Sequence, residues 1–206
     1  RPPRSTLFPY TTLLPISVGD ARVFLKFRQK TAISTAVHIL VDSSGSMSGA
    51  PIRLASQACY AVATALERIK GVNVAVSAFP AGKCNDGVTV APLIEHGEMV
   101  HAYLDIQAEG YTPLAQALWW VLQRMVVLSE DRKIVLILSD GEPDSPAAAQ
   151  KVLETAQKSG FEVYGVGIKA TAILALLPMS SVSINSMSDL ASTMFYMLQK
   201  ALLKKG

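Results

Sequence analysis

The chain has 206 residues, half of them hydrophobic, with a net charge of +3 and a mean hydropathy of +0.31. That length makes one ordinary domain, or one domain with an extension, with ample material for a core. No apolar run approaches the roughly 18 residues that span a bilayer, and no Lys/Arg cluster is interleaved with aromatic residues, so neither a membrane span nor nucleic-acid binding is indicated. There are two cysteines. Cys59 falls in a helical pattern and reads as a small buried residue; Cys84 falls in a loop. The pair has neither a disulfide framework nor metal-ligand spacing, which favours a reducing, cytoplasmic setting. The chain begins at Arg1 without a signal peptide and is read as a piece of a longer protein.

Residues 1–17 contain Pro2, Pro3, Pro9 and Pro15 and read as an extended lead-in. Val23, Leu25 and Phe27 alternate with polar or outward positions, the pattern of a short strand able to pair at a sheet edge. Residues 1–32 are therefore an extension, and 33–206 are the domain. From residue 33 strands and helices alternate. A strand over 33–41 is followed by a helix over 51–70, on which Leu54, Ala58, Val62, Leu66 and Ile69 recur at helical spacing and Pro51 stands near the start. Strands over 72–79 and 88–94 follow, readable as a hairpin, then a short helix over 98–106. A helix over 113–128 carries Leu114, Leu118, Val121, Leu122 and Met125. The continuous apolar run 133–139 is the mark of a buried parallel strand. A helix over 146–159 ends at Gly160, then come a strand over 161–168, a short helix over 170–177, a small strand over 181–184 and a final helix capped by Ser188. Strands alternating with helices give an α/β fold: a doubly wound, mostly parallel, six-stranded sheet flanked by helices, Rossmann-like in architecture. Ligands of such sheets bind beyond the strands' carboxyl ends, where the strand order reverses.

Three oxygen-bearing segments fall at that end. The first is Asp42-Ser43-Ser44-Gly45-Ser46, directly after the first strand. The second is Thr112, in Gly110-Tyr111-Thr112-Pro113. The third is Asp140, in Ser139-Asp140-Gly141 after the run 133–139. Singly, each has an ordinary reading: a turn at Asp42, a helix N-cap at Thr112 with Pro113 in the first helical position, a turn dipeptide at Asp140. Their coincidence at one end of one sheet points instead to a hard divalent cation held by oxygen. Glu142 and Asp144 read as a solvated loop on the rim, the alternative being that they tune metal affinity or repel wrong acidic partners. His38, His96 and His101 lack zinc-site spacing and read as structural or surface residues.

In these segments the chain resembles the von Willebrand factor type A family with its metal-ion-dependent adhesion site, over roughly residues 33–203. The resemblance implies a magnesium ion, with manganese or calcium as substitutes. The metal residues would be Asp42, Ser44, Ser46, Thr112 and Asp140: the hydroxyls as direct ligands, the two carboxylates acting mainly through water. Neutral direct ligands leave the ion's charge largely uncancelled, so an exchangeable position would attract an Asp or Glu of a partner protein. Residues 161–168 and 188–194 are similar to the type A domain of cobalt-chelatase subunits, which implies a cytoplasmic adaptor working with a ring-forming AAA+ ATPase. Gly110-Tyr111-Thr112-Pro113 is closer to the general family than to that branch. An enzyme is not expected. The Ser46-containing loop would place Met47 at the centre of a nucleophile elbow, there is no phosphate loop, and Gly165-Val166-Gly167 lacks the third glycine of a dinucleotide fingerprint. A magnesium-dependent hydrolase or phosphatase, which would want a carboxylate where Ser44 stands, is one alternative. An extracellular adhesion domain is the other.

Overall fold

β1 (Thr35–Asp42) is buried along its whole length, as a strand covered by helices on both faces must be. The computed structural model describes residues 34–80, 90–100, 104 and 106–203, all within the unit Ile33–Gly206. The expected extension 1–32 with its edge strand, Cys84 and His101 lie outside them. After β1 come a one-turn 3-10 helix (Gly45–Met47), α1 (Ala50–Glu67), β2 (Val72–Phe79), β3 (Ala91–Ile94), α2 (Leu114–Val126) and β4 (Arg132–Ser139). Then follow α3 (Pro146–Lys158), β5 (Phe161–Ile168), α4 (Ala172–Leu176), β6 (Ser181–Ile184), a second 3-10 turn (Met187–Asp189) and α5 (Leu190–Leu203).

The six strands lie in the order β3-β2-β1-β4-β5-β6, with only β2 and β3 antiparallel. Alternation along the strands sorts side chains to the two faces. Val37, Ile39 and Val41 pack with Ile52, Val62 and Leu66 of α1 and with Leu190, Met194 and Leu198 of α5. Ala36 and Leu40 pack the other way, with Leu118, Val121 and Met125 of α2 and Leu153 of α3. Burying each Leu, Ile or Val of these layers contributes about 1.5–3 kcal/mol.

The segment 98–106 is not the short helix expected: its described residues, 98–100, 104 and 106, are irregular. Its backbone is tied sideways to α1. The Val100 amide donates to Glu67 Oε1 at 2.7 Å, and the Ser56 hydroxyl donates to the Leu104 carbonyl, while Leu104 and Ile106 are buried. These bonds hold the described residues along α1 as irregular backbone with its polar groups satisfied. Ser188 does not cap the last helix: it sits inside the preceding 3-10 turn, which Ser186 caps by accepting from the Ser188 amide.

The strand order reverses between β1 and β4. Val41 pairs with Leu138 there, so the next residues, Asp42 and Ser139, stand side by side at the strands' carboxyl ends.

Candidate metal centre

Asp42 is the last residue of β1, not the first of a loop, and is fully buried. Both of its oxygens are engaged. Oδ2 accepts from the Ser139 hydroxyl at 2.6 Å, and Oδ1 accepts from the Ser44 amide at 2.9 Å. The second bond curls the chain so that the hydroxyls of Ser44 and Ser46 come within 3.1 Å of each other. Ser46 Oγ then donates to Asp140 Oδ1 at 2.8 Å, joining residues 94 apart in sequence. Burial pushes the Asp42 carboxyl above its usual range, against the opposing pull of the bonds from Ser139 and Ser44; the nearby Asp140 charge pushes the same way as burial.

Backbone bonds clamp this loop from two sides. Ser43 donates through its amide to the Phe79 carbonyl at 2.7 Å and through its hydroxyl to the Pro80 carbonyl at 2.7 Å. Its own carbonyl accepts from the Glu109 amide at 2.8 Å, and the Gly45 amide donates to the Gly110 carbonyl at 3.1 Å. Gly110 has φ +76°, and a Cβ there would come within 3.2 Å of Pro80 Cγ, so this junction calls for glycine. These bonds seat the segment bearing Thr112 against the Asp42 loop.

Thr112 does not cap α2. The helix starts at Leu114, and Pro113, which has no side-chain oxygen, holds the cap position. Thr112 is instead gripped by the loop after β4: its amide donates to Asp144 Oδ1 at 2.9 Å, and its carbonyl accepts from the Asp144 amide at 3.0 Å. Asp144 is exposed, as expected of a rim residue, and it is also the clamp that holds Thr112. Sequence reasoning missed Ser139, and it missed the grip of Asp144 on Thr112. A hydroxyl closing a strand and an acid two residues before a helix have no distinctive signal until the strands are paired.

The donor set fits a hard cation. Adjacent ligands of an octahedral ion at about 2.1 Å stand about 3 Å apart, close to the 3.1 Å between the Ser44 and Ser46 oxygens. Among the described residues no group of three or more His, Cys, Asp or Glu is placed to hold a metal, so any ion here depends on hydroxyls.

The structural comparisons agree with this architecture. No curated protein sequence matches the chain. Among solved structures it is similar to proximal thread matrix protein 1 from the mussel byssus (TM-score 0.66, 17% identity, covering 83% of this chain and 49% of that one). It is also similar to manganese-loaded TRAP protein of Plasmodium vivax (0.61, 15%, 82% and 74%) and to the pilus adhesin SpaC of Lactobacillus rhamnosus GG (0.68, 15%, 84% and 30%). A further structure of the mussel protein has a zinc-occupied MIDAS motif (0.63, 13%, 83% and 46%). The chain spans about half the length of the mussel protein, and likeness at these identities is one of fold. The family model for the von Willebrand factor type A domain matches residues 36–200, four-fifths of the chain, and the chain belongs to that family.

Proposed function

We propose that the domain is a metal-dependent docking module that captures an acidic side chain of a partner protein. The observation that carries this reading is the convergence of Ser44, Ser46 and Asp140, through contacts of 3.1 and 2.8 Å, at the switch point of the sheet. A magnesium ion would be held directly by the hydroxyls of Ser44, Ser46 and Thr112. Asp42, with both oxygens already accepting hydrogen bonds, would anchor the loop and act on the ion at a distance. Asp140 would orient Ser46 and act through water. The ion supplies an under-neutralised positive charge, and the neutral ligands keep it so. The zinc-occupied and manganese-loaded relatives support a divalent ion of this kind.

The partner we propose is a cytoplasmic one, an AAA+ ATPase or its client. Support comes from the similarity of residues 161–168 and 188–194 to chelatase-type domains. The domain would bind rather than catalyse. A second reading, extracellular adhesion, is favoured by the name of the pilus adhesin among the fold relatives.

Capture from host extract with and without EDTA tests the proposal. Release of the partner by EDTA, and loss of binding when one partner Asp or Glu is replaced, are expected. Recovery of the same partners in both samples would overturn it. An ATPase among the released proteins supports the cytoplasmic reading; a surface or matrix protein supports adhesion.

A further inference from the structure

A second polar cluster lies apart from the metal centre, against a cavity of about 400 Å³ between the β2–β3 edge of the sheet and α2. None of the residues of the metal centre lines it. His38, in the middle of β1, and His96, just after β3, both face it. The Nδ1 of His38 is 3.3 Å from the Nε2 of His96. The other nitrogen of each ring has its own partner: His38 Nε2 is 3.0 Å from Ser77 Oγ, and His96 Nδ1 is 3.3 Å from Asn73 Oδ1.

The protons on this chain can be assigned from the far end. Asn73 Oδ1 also accepts from the Gly97 amide at 2.9 Å, and its Nδ2 donates to Glu130 Oε1 at 2.6 Å, so the carboxamide is oriented. An amide oxygen only accepts, so His96 carries its proton on Nδ1 and turns a bare Nε2 towards His38. Ser77 can donate or accept. When it accepts from His38 Nε2–H, two lone pairs confront each other across 3.3 Å. When it donates, His38 carries its proton on Nδ1 and the two rings share a direct N–H···N bond of 3.3 Å. The same 3.3 Å separation suits a third arrangement, since two nitrogens about 2.0–2.1 Å from one tetrahedral ion stand about 3.3 Å apart.

We propose that His38 and His96 form a second metal site, for a borderline transition ion of the zinc and copper(II) class, distinct from the oxygen site at the sheet's carboxyl end. Ser77 and Asn73 then do what residues behind metal-bound imidazoles commonly do, accepting the outer N–H and fixing ring and tautomer. Neutral imidazole is the ligating form, and burial keeps it so, lowering His38 to about 3 and lowering His96 as well. The one guanidinium in the cluster, Arg124, is tied up by Glu95 at 3.0 Å and stacked 4.6 Å over Trp120, and Glu130 adds a further negative charge. Among the described residues no third His, Cys, Asp or Glu joins the pair, so the remaining positions fall to water or a small ligand in the cavity. The two sites would sort metals by hardness, oxygen taking magnesium and nitrogen taking zinc or copper.

Copper(II) titration of the full chain, followed by electron paramagnetic resonance, tests this directly. His101→Gln serves as the background, to remove a third imidazole. The first equivalent of copper is expected to show coupling to two nitrogens. His96→Gln, at the partly exposed end of the pair, should lose that coupling and weaken copper binding by at least about tenfold, the smaller loss typical of disturbing a residue that only supports a ligand. Its magnesium affinity and circular dichroism should not change. Asp140→Ala should keep the nitrogen coupling while losing magnesium, which separates failure of this site from failure of the docking site. A spectrum with oxygen ligands only, or coupling that survives in His96→Gln, overturns the proposal.

Discussion

The Ser139 hydroxyl donates to Oδ2 of Asp42 at 2.6 Å, linking the last residue of β4 to the last residue of β1 at the point where the sheet order reverses. Asp42 is fully buried and its other oxygen is taken by the Ser44 amide, so the hydroxyl is one of few donors balancing its charge. Ser139→Ala should cost about 1–3 kcal/mol of stability, the penalty for leaving a buried acceptor short of a donor. It should also weaken magnesium binding by about 10–100-fold, the usual effect of losing a residue that supports a metal site. Urea unfolding and calorimetric titration of the same variant read both; unchanged metal affinity would show that Asp42 does not organise the site.

Asp144 holds Thr112 by two bonds: its carboxylate accepts from the Thr112 amide at 2.9 Å, and its amide donates to the Thr112 carbonyl at 3.0 Å. Asp144→Ala removes the carboxylate acceptor and should weaken magnesium binding more than folding. Asp144→Asn keeps an oxygen at the same place and should restore most of the affinity. Equal loss in both variants would mean that the charge, not the grip on Thr112, is what the site uses.

The metal-holding role of Asp42, Ser44, Ser46, Thr112 and Asp140 rests on the family resemblance. That Ser44, Ser46 and Asp140 meet beside Asp42 at the carboxyl ends of β1 and β4 is legible in the sequence, because the fold rule locates those strand ends. The six-stranded order was legible for the same reason, since a run such as 133–139 reads only as a buried strand. Other features depend on pairing across long separations. Ser139 matters only beside Asp42, Asp144 only beside Thr112, and His38 meets His96 only because β3 folds back antiparallel on β2. Where a helix is expected over 98–106 the described residues are irregular, with the Val100 amide bonded to Glu67 and the Leu104 carbonyl to Ser56, partners on α1 that no local pattern reveals.

Gly165 and Gly167, set aside above as an incomplete nucleotide fingerprint, have a packing role. A Cβ on Gly167 would strike the Ala170 carbonyl and come within 2.8 Å of Ile173 Cγ2, and one on Gly165 would come within 2.5 Å of Ile173 Cγ1. β5 is glycine-bearing so that α4 and its lead-in can lie directly on it. Gly167→Ala should therefore destabilise by about 1–3 kcal/mol, as overpacked interiors do, with magnesium affinity intact. Thermal and urea unfolding would detect it, and a variant as stable as the parent would refute the close-approach account.

Cys59 is fully buried in α1, and burial raises its thiol well above the ordinary range. In a Cys84→Ser background it should resist a thiol reagent at pH 8 until the protein is unfolded in denaturant, when it should react at the rate of a free thiol. Prompt labelling of the folded protein would show that α1 opens readily.

The central claim is that hydroxyls and carboxylates from three segments hold one divalent ion. Calorimetric titration of magnesium into the parent protein and into Ser46→Ala tests it most directly. Ser46 is exposed and makes only side-chain contacts with Ser44 and Asp140, so its loss leaves the sheet untouched. The account predicts one magnesium ion bound by the parent and at least about tenfold weaker binding by Ser46→Ala, with identical circular dichroism and urea midpoint. Equal magnesium affinity in the two proteins, or no binding by the folded parent, would contradict it.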